Sequence, residues 1–213
     1  MGNWPIVAAL VLVTVLCLAT LVACGLLVVD KMKRTSDFDQ QAENYPHADD
    51  SEWGERAMAR LFTPADARVL ELGGGAGSVS AVVQEILTDK TKHVVVQPAD
   101  GGMLGGLPAL LQTRAACNSQ FTVVDHVLQS GEGDAIVRAL GGAPTCLVVD
   151  CENCLVGEYA KNPQLFTSAT MVQVERDDFD GSYTSLLRDT LKLKLKHSGK
   201  GCGGMCATEV WVK

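Results

Sequence analysis

Val69-Leu70-Glu71-Leu72-Gly73-Gly74-Gly75-Ala76-Gly77-Ser78 is the stretch that decides the fold. A short apolar run ends in glycines. Residues 78–87 then carry Val79, Val82, Val83, Ile86 and Leu87 at helical spacing. This is a strand, a glycine turn and a helix in succession. Glycine lets a backbone adopt positive φ and approach a ligand closely. In an open α/β sheet the ligand sits beyond the carboxyl ends of the strands. The spacing separates the cofactor classes. Dinucleotide binding uses G-x-G-x-x-G, which would need glycine at 78, where Ser78 stands. The pattern present is E-x-G-x-G-x-G, on Glu71, Gly73, Gly75 and Gly77.

Outward from this turn, apolar runs alternate with helical periodicities. A helix is predicted over 52–62, with Trp53, Ala57, Leu61 and Phe62 at helical spacing, and a strand over 68–72. Further strands are predicted over 93–96, 121–128, 146–149, 170–174 and 207–212. Helices are predicted over 103–116, 134–140, 158–166 (interrupted at Pro163) and 183–193. Lys192, Lys194 and Lys196 alternate with Leu191, Leu193 and Leu195, which suits either a strand extension or a frayed helix end. Near-continuous apolar strands between helices predict a parallel sheet covered on both faces. The glycine tract at 199–204 predicts a tight turn feeding an antiparallel last strand.

The N-terminal segment has a different character. No charged side chain precedes Asp30, and residues 4–29 are rich in Val, Leu and Ala. About 20 apolar residues span a bilayer core as a helix, and no polar stripe of helical period interrupts the run. Residues 1–29 are therefore expected to be a single-pass transmembrane anchor, and 30–52 a polar linker to a domain over 53–213. The start, MGNWP, lacks the basic residues of a signal peptide. Leu21-Val22-Ala23-Cys24 has the form of a lipoprotein cleavage box but lacks the same basic start. Lys31, Lys33 and Arg34 follow the run directly, which places the domain in the cytoplasm rather than a lumen. The net charge of −7 argues against a partner bound by phosphate neutralisation, so no nucleic-acid partner is expected.

Six of the eight cysteines lie beyond the apolar run: Cys117, Cys146, Cys151, Cys154, Cys202 and Cys206. In a cytoplasmic domain they are expected as reduced thiols. Cys151-x-x-Cys154 and Cys202-x-x-x-Cys206 also have the form of a four-thiolate zinc site. That would make the chain a zinc-stabilised binding module. In a lumen the same cysteines would pair.

Three further signals extend the glycine motif, which itself resembles the first motif of Rossmann-like methyltransferases. One strand ends in Gln97-Pro98. Another runs Val148-Val149-Asp150-Cys151-Glu152-Asn153. A third, Met171-Val172-Gln173-Val174, closes on Glu175. In this order, and with the closing strand from Thr208 to Val212, residues 65–213 resemble the FkbM-like family of S-adenosylmethionine-dependent methyltransferases. The resemblance implies a Rossmann-like three-layer α/β sandwich, with a mostly parallel sheet and an antiparallel last strand. It implies S-adenosyl-L-methionine as cofactor, bound by Glu71, Gly73, Gly75, Gly77, Gln97 and Asp125. It implies methyl transfer to a hydroxyl of a small-molecule, glycan or lipid acceptor. Asp150, Glu152 and Glu175 are the catalytic candidates, and no metal is implied. His126 is a second candidate base. Gln97 stands where the family has an acidic residue and Asn153 where it has glycine. These departures motivate a rival reading, a non-catalytic binding or scaffold domain of the same fold.

Overall fold

The computed structural model describes residues 52–99, 106–178, 180–202 and 205–213. The expected membrane anchor and nearly all of the polar linker lie outside these residues. Among the described residues no helix is long and apolar enough to cross a membrane.

The elements run α1 (Trp53–Phe62), β1 (Val69–Leu72), α2 (Ser78–Ile86), β2 (His93–Val96), α3 (Gly106–Ala116), β3 (Thr122–Val124), α4 (Gly133–Ala139), β4 (Cys146–Val149), α5 (Leu155–Lys161), α6 (Gln164–Thr167), β5 (Met171–Glu175), α7 (Ser182–Thr184), a π-helical turn (Ser185–Thr190), β6 (Lys194–Gly201) and β7 (Cys206–Val212). The sheet order is β3-β2-β1-β4-β5-β7-β6. Strands β1 to β5 are parallel, while β7 is antiparallel to both β5 and β6.

Strands β1, β2 and β4 are buried at every position, as expected of strands covered on both faces. Alternation along β1 sorts the two layers. Leu70 and Leu72 join Leu147, Val149, Val172 and Val174 under α4, α5, α6 and the π-helical turn. Val69 and Val148 face the other way, against α1 and α2. On that second side α3 brings Leu110 onto Val95 and Phe121.

Three expectations need correction, and the lysine–leucine alternation takes the strand form of its two alternatives. The strand expected over 121–128 is only Thr122–Val124. It lies at the sheet edge, and the backbone beyond it bonds the loop after β2 instead, with Ala99 N–H on the Asp125 carbonyl at 2.9 Å. The helix expected over 183–193 is one turn of α-helix that widens into the π-helical turn, and Lys192 ends the segment at φ 59°. The lysine–leucine alternation enters a full edge strand, β6, whose exposed Lys194 and Lys196 suit an edge open to solvent. The cysteines expected as free thiols or zinc ligands are paired, Cys151 with Cys154 and Cys202 with Cys206. Cys117 and Cys146 are free.

Candidate functional site

The carboxyl ends of β1, β2, β4 and β5 open into a cavity of about 470 Å³. That volume is in the range of small-molecule sites. Leu72, Val96, Pro98, Val127 and Met205 give it apolar walls. Glu52, Glu55, Asp150, Glu152, Glu158 and Glu175 put carboxylates around it, and among the described residues no lysine or arginine lines it.

The glycine turn forms one wall. Gly73 and Gly75 both border the cavity, at φ 88° and 49°. A Cβ at Gly73 would lie 1.5 Å from the Asp150 carbonyl oxygen, so close strand-to-strand approach demands glycine there. At Gly75 a Cβ would meet nothing nearer than Glu52 Oε1 at 3.5 Å, and the space beside that backbone is open. Gly77 serves a different purpose. It starts α2 at φ 86°, and a Cβ there would press on Leu110 and Thr113 of α3.

Gln97 borders the cavity, and its Oε1 accepts the Gly75 N–H at 2.7 Å. The amide therefore holds the glycine turn in place. Like Gly77, two more of the expected cofactor residues do not line the cavity. Glu71 is 1% exposed and faces α2, the side opposite Leu70 and Leu72; its oxygens are taken by the Ser80 hydroxyl and the His93 ring, each at 2.8 Å. Asp125 is exposed beyond the short β3, beside His126, and neither lines the cavity.

The three catalytic candidates do come together. Asp150 follows β4 and Glu175 ends β5, and the two carboxyls are hydrogen-bonded to each other. Burial pushes Asp150 up to about 9, and the hydrogen bond and negative charge of Glu175 add to the rise. Burial also raises Glu175, against the pull of the Asp150 hydrogen bond. Asp150 therefore keeps its proton at neutral pH and donates it to Glu175. Glu152 and Asn153 follow in left-handed conformation, φ 54° and 70°, and the Asn153 N–H bonds Asp177 at 2.5 Å. Asn153 thus fills the glycine place by tolerating this geometry. The same strain at Glu152 has no sequence signal.

Sequence reasoning missed Glu52, Glu55 and Glu158. Glu55 is the most consequential of these. It sits in the first turn of α1 and is 3% exposed. The apolar spacing of α1 hid this, because Glu55 and Arg56 are buried along with Ala57, Met58, Ala59 and Phe62. The glycine tract offered the only signal. A Cβ at Gly201 would lie 2.2 Å from Glu55 Oε1, and one at Gly54 would lie 2.0 Å from the Lys200 carbonyl. Small residues on both elements let α1 lie directly on the end of β6.

No protein-family model matches the chain, and no curated protein matches its sequence significantly. Solved structures do match its fold. The O-methyltransferase from Bacillus cereus in complex with SAH aligns with TM-score 0.56 at 12% identity, over 86% of this chain and 90% of that one. Cofactor-bound Rv0187 from MTB aligns with TM-score 0.57 at 12% identity, over 85% and 88%. Streptococcus pneumoniae Sp1610 in complex with S-adenosyl-L-methionine aligns with TM-score 0.55 at 9% identity, over 74% and 71%. The fold is that of Rossmann-like methyltransferases. In this chain it carries two antiparallel strands at one edge, and its cavity lies at the glycine turn where the strand order reverses, between β1 and β4.

Proposed function

We propose that the chain is an S-adenosylmethionine-dependent methyltransferase of the FkbM-like type. In this reading it is held to a membrane by residues 1–29 and methylates a hydroxyl of a small-molecule, glycan or lipid acceptor. One observation carries the reading. The hydrogen-bonded pair Asp150 and Glu175 faces the same cavity as the bare backbone of Gly73 and Gly75. The residues suit the cofactor. The gap beside Gly75 admits a ligand against the main chain, and a wall of carboxylates complements a molecule bearing sulfonium and ammonium charges. The chemistry supplied when S-adenosylmethionine is bound is an activated methyl group. The chain must place the acceptor oxygen in line and remove its proton. Glu175 receives that proton. Asp150, protonated, donates to Glu175 and keeps it oriented, and Glu152 holds the acceptor at the rim.

The test uses the full chain in detergent, titrated calorimetrically with S-adenosylmethionine. Saturable heat is expected for the wild type. Gly75→Arg fills the open space and is expected to abolish it while the circular dichroism spectrum stays unchanged. Absence of heat from folded wild-type protein overturns the reading. A second reading, a domain that binds without catalysing, is favoured by Gln97, whose Oε1 is engaged by Gly75. Transfer of labelled methyl to any hydroxyl acceptor excludes it.

A further inference from the structure

Four elements converge beside the cavity on one group of donors. Glu55 comes from α1, Glu175 from the end of β5, Cys202 from the end of β6 and Cys206 from the start of β7. One ligand atom of each lies within 4.8 Å of all the others. Neither oxygen of the buried Glu55 carboxylate has a hydrogen-bond partner. Its own N–H, and then that of Cys202, draw on it without reaching bonding geometry. A carboxyl this buried, with no full hydrogen bond, calls for a cation or a proton.

The sulfurs repeat the point. Cys206 Sγ lies 2.8 Å from Glu175 Oε1, and Cys202 Sγ touches the same oxygen. A disulfide sulfur has no hydrogen to donate, so this carboxylate oxygen faces two sulfurs with nothing between. A pair of thiolates and a bridging cation would satisfy every one of these atoms.

We propose that, with Cys202 and Cys206 reduced, Glu55, Glu175, Cys202 and Cys206 bind a zinc ion. Two thiolates with two carboxylates make a tetrahedral set that selects zinc over the hard divalent cations. The donor spacing needs little closure for bonds of about 2.0–2.3 Å. The chemistry balances. Two molecules of a low-molecular-weight thiol reduce the Cys202–Cys206 bond to two thiols and leave as their own disulfide. Zinc then displaces the two thiol protons. The bond closes a separation of four residues, so it constrains the unfolded chain weakly and opens at little cost. The site differs from the four-cysteine arrangement that spacing alone suggests, because Cys151 and Cys154 are not among the converging donors. It takes up Glu175, the proposed proton acceptor, so a chain with zinc bound there lacks that base, but zinc binding itself does not depend on methyl transfer.

Cobalt is the probe. Full-length protein in detergent, reduced with a phosphine, is titrated with Co²⁺, and the same preparation is titrated after oxidation. Reduced protein is expected to develop sulfur-to-cobalt charge-transfer absorption that saturates at one ion per chain and is displaced by Zn²⁺. Oxidised protein is expected to show none. The Cys151→Ser/Cys154→Ser variant should keep the signal, and Cys202→Ser should lose it. Glu55→Gln should weaken binding by about tenfold or more. Zinc should shield Cys202 and Cys206, but not Cys117, from alkylation in the wild type, a readout that needs no variant. No charge-transfer band in reduced wild-type protein overturns the proposal, as does a band that survives Cys202→Ser. S-adenosylmethionine binding is measured separately on the same samples, so failure of one reading leaves the other standing.

Discussion

His126 lies between two carboxylates. Its Nδ1 is 3.1 Å from Asp125 Oδ1 and its Nε2 is 3.1 Å from Glu132 Oε1. Only the imidazolium donates from both nitrogens. The hydrogen bond to Asp125, and then that to Glu132, raise its pKa above the ordinary 6.5. A raised folded-state value means the folded chain holds the proton more tightly. The contribution to stability is fully present below pH 6.5 and is lost as pH rises through the raised value. The ring is half exposed, so the effect is small and weakens with salt. An NMR titration is expected to place the His126 midpoint above 6.5, and Asp125→Asn with Glu132→Gln should return it to the ordinary value. A wild-type midpoint at or below 6.5 contradicts the arrangement. The sequence showed an acid next to a histidine at a strand end. It did not show that the strand stops at Val124, which turns the pair into a surface cluster instead of a base in the cavity.

At the scale of elements, Glu71 ties β1 to its neighbours. Gln84 of α2 donates to the Lys90 carbonyl at 2.9 Å and to His93 Nδ1 at 3.2 Å, while its Oε1 accepts the Gln120 N–H at 2.8 Å. His93 is thereby left with its proton on Nε2, which it donates to Glu71. Ser80 completes the carboxylate's set. The chain of bonds joins β1, α2, β2 and the approach to β3 beneath the glycine turn. Glu71→Ala strands a buried ring N–H and a buried hydroxyl, at a cost of about 3 kcal/mol. It is expected to lower the midpoint of denaturant unfolding accordingly. Glu71→Gln keeps one acceptor and should cost less. If Glu71→Gln leaves stability intact but removes S-adenosylmethionine binding, the carboxylate acts on the cofactor as the motif alone suggested. The strand, the turn and the helix were all legible here, because apolar runs and glycines carry that information. The facing of Glu71 was not. Strand alternation puts it on the face of Val69, towards α2, and only the completed sheet shows which face that is.

For the whole molecule, order along the chain and order in space diverge at the edge formed by β6 and β7. Five parallel strands could be read from apolar runs alone. Of the edge pair, β7 could be read as an antiparallel last strand, but β6 could not be told from a frayed helix end, since Leu195 is the one aliphatic residue in Lys194–Gly201. That pair carries Cys202 and Cys206 to Glu55, a meeting of residues 147 positions or more apart (202 − 55 = 147). It also bears on which side of the proposed membrane anchor residues 52–213 would occupy. The positive residues after position 30 favour the cytoplasm, while paired cysteines are ordinarily the mark of an oxidising compartment. Both pairs are local, with separations of three and four residues. Each constrains the unfolded chain by only about 2 kcal/mol, well below a long-range staple, so a glutathione-buffered cytoplasm can hold them open. The expectation is a chain that stays with the membrane through alkaline carbonate extraction, loses that behaviour when residues 1–29 are deleted, and is protected from protease added outside sealed cells. Rapid alkylation of such cells should then find Cys202 and Cys206 as thiols or metal-shielded. Cleavage of residues 52–213 by external protease, with both pairs oxidised, reverses the orientation and confines the zinc form to reducing conditions.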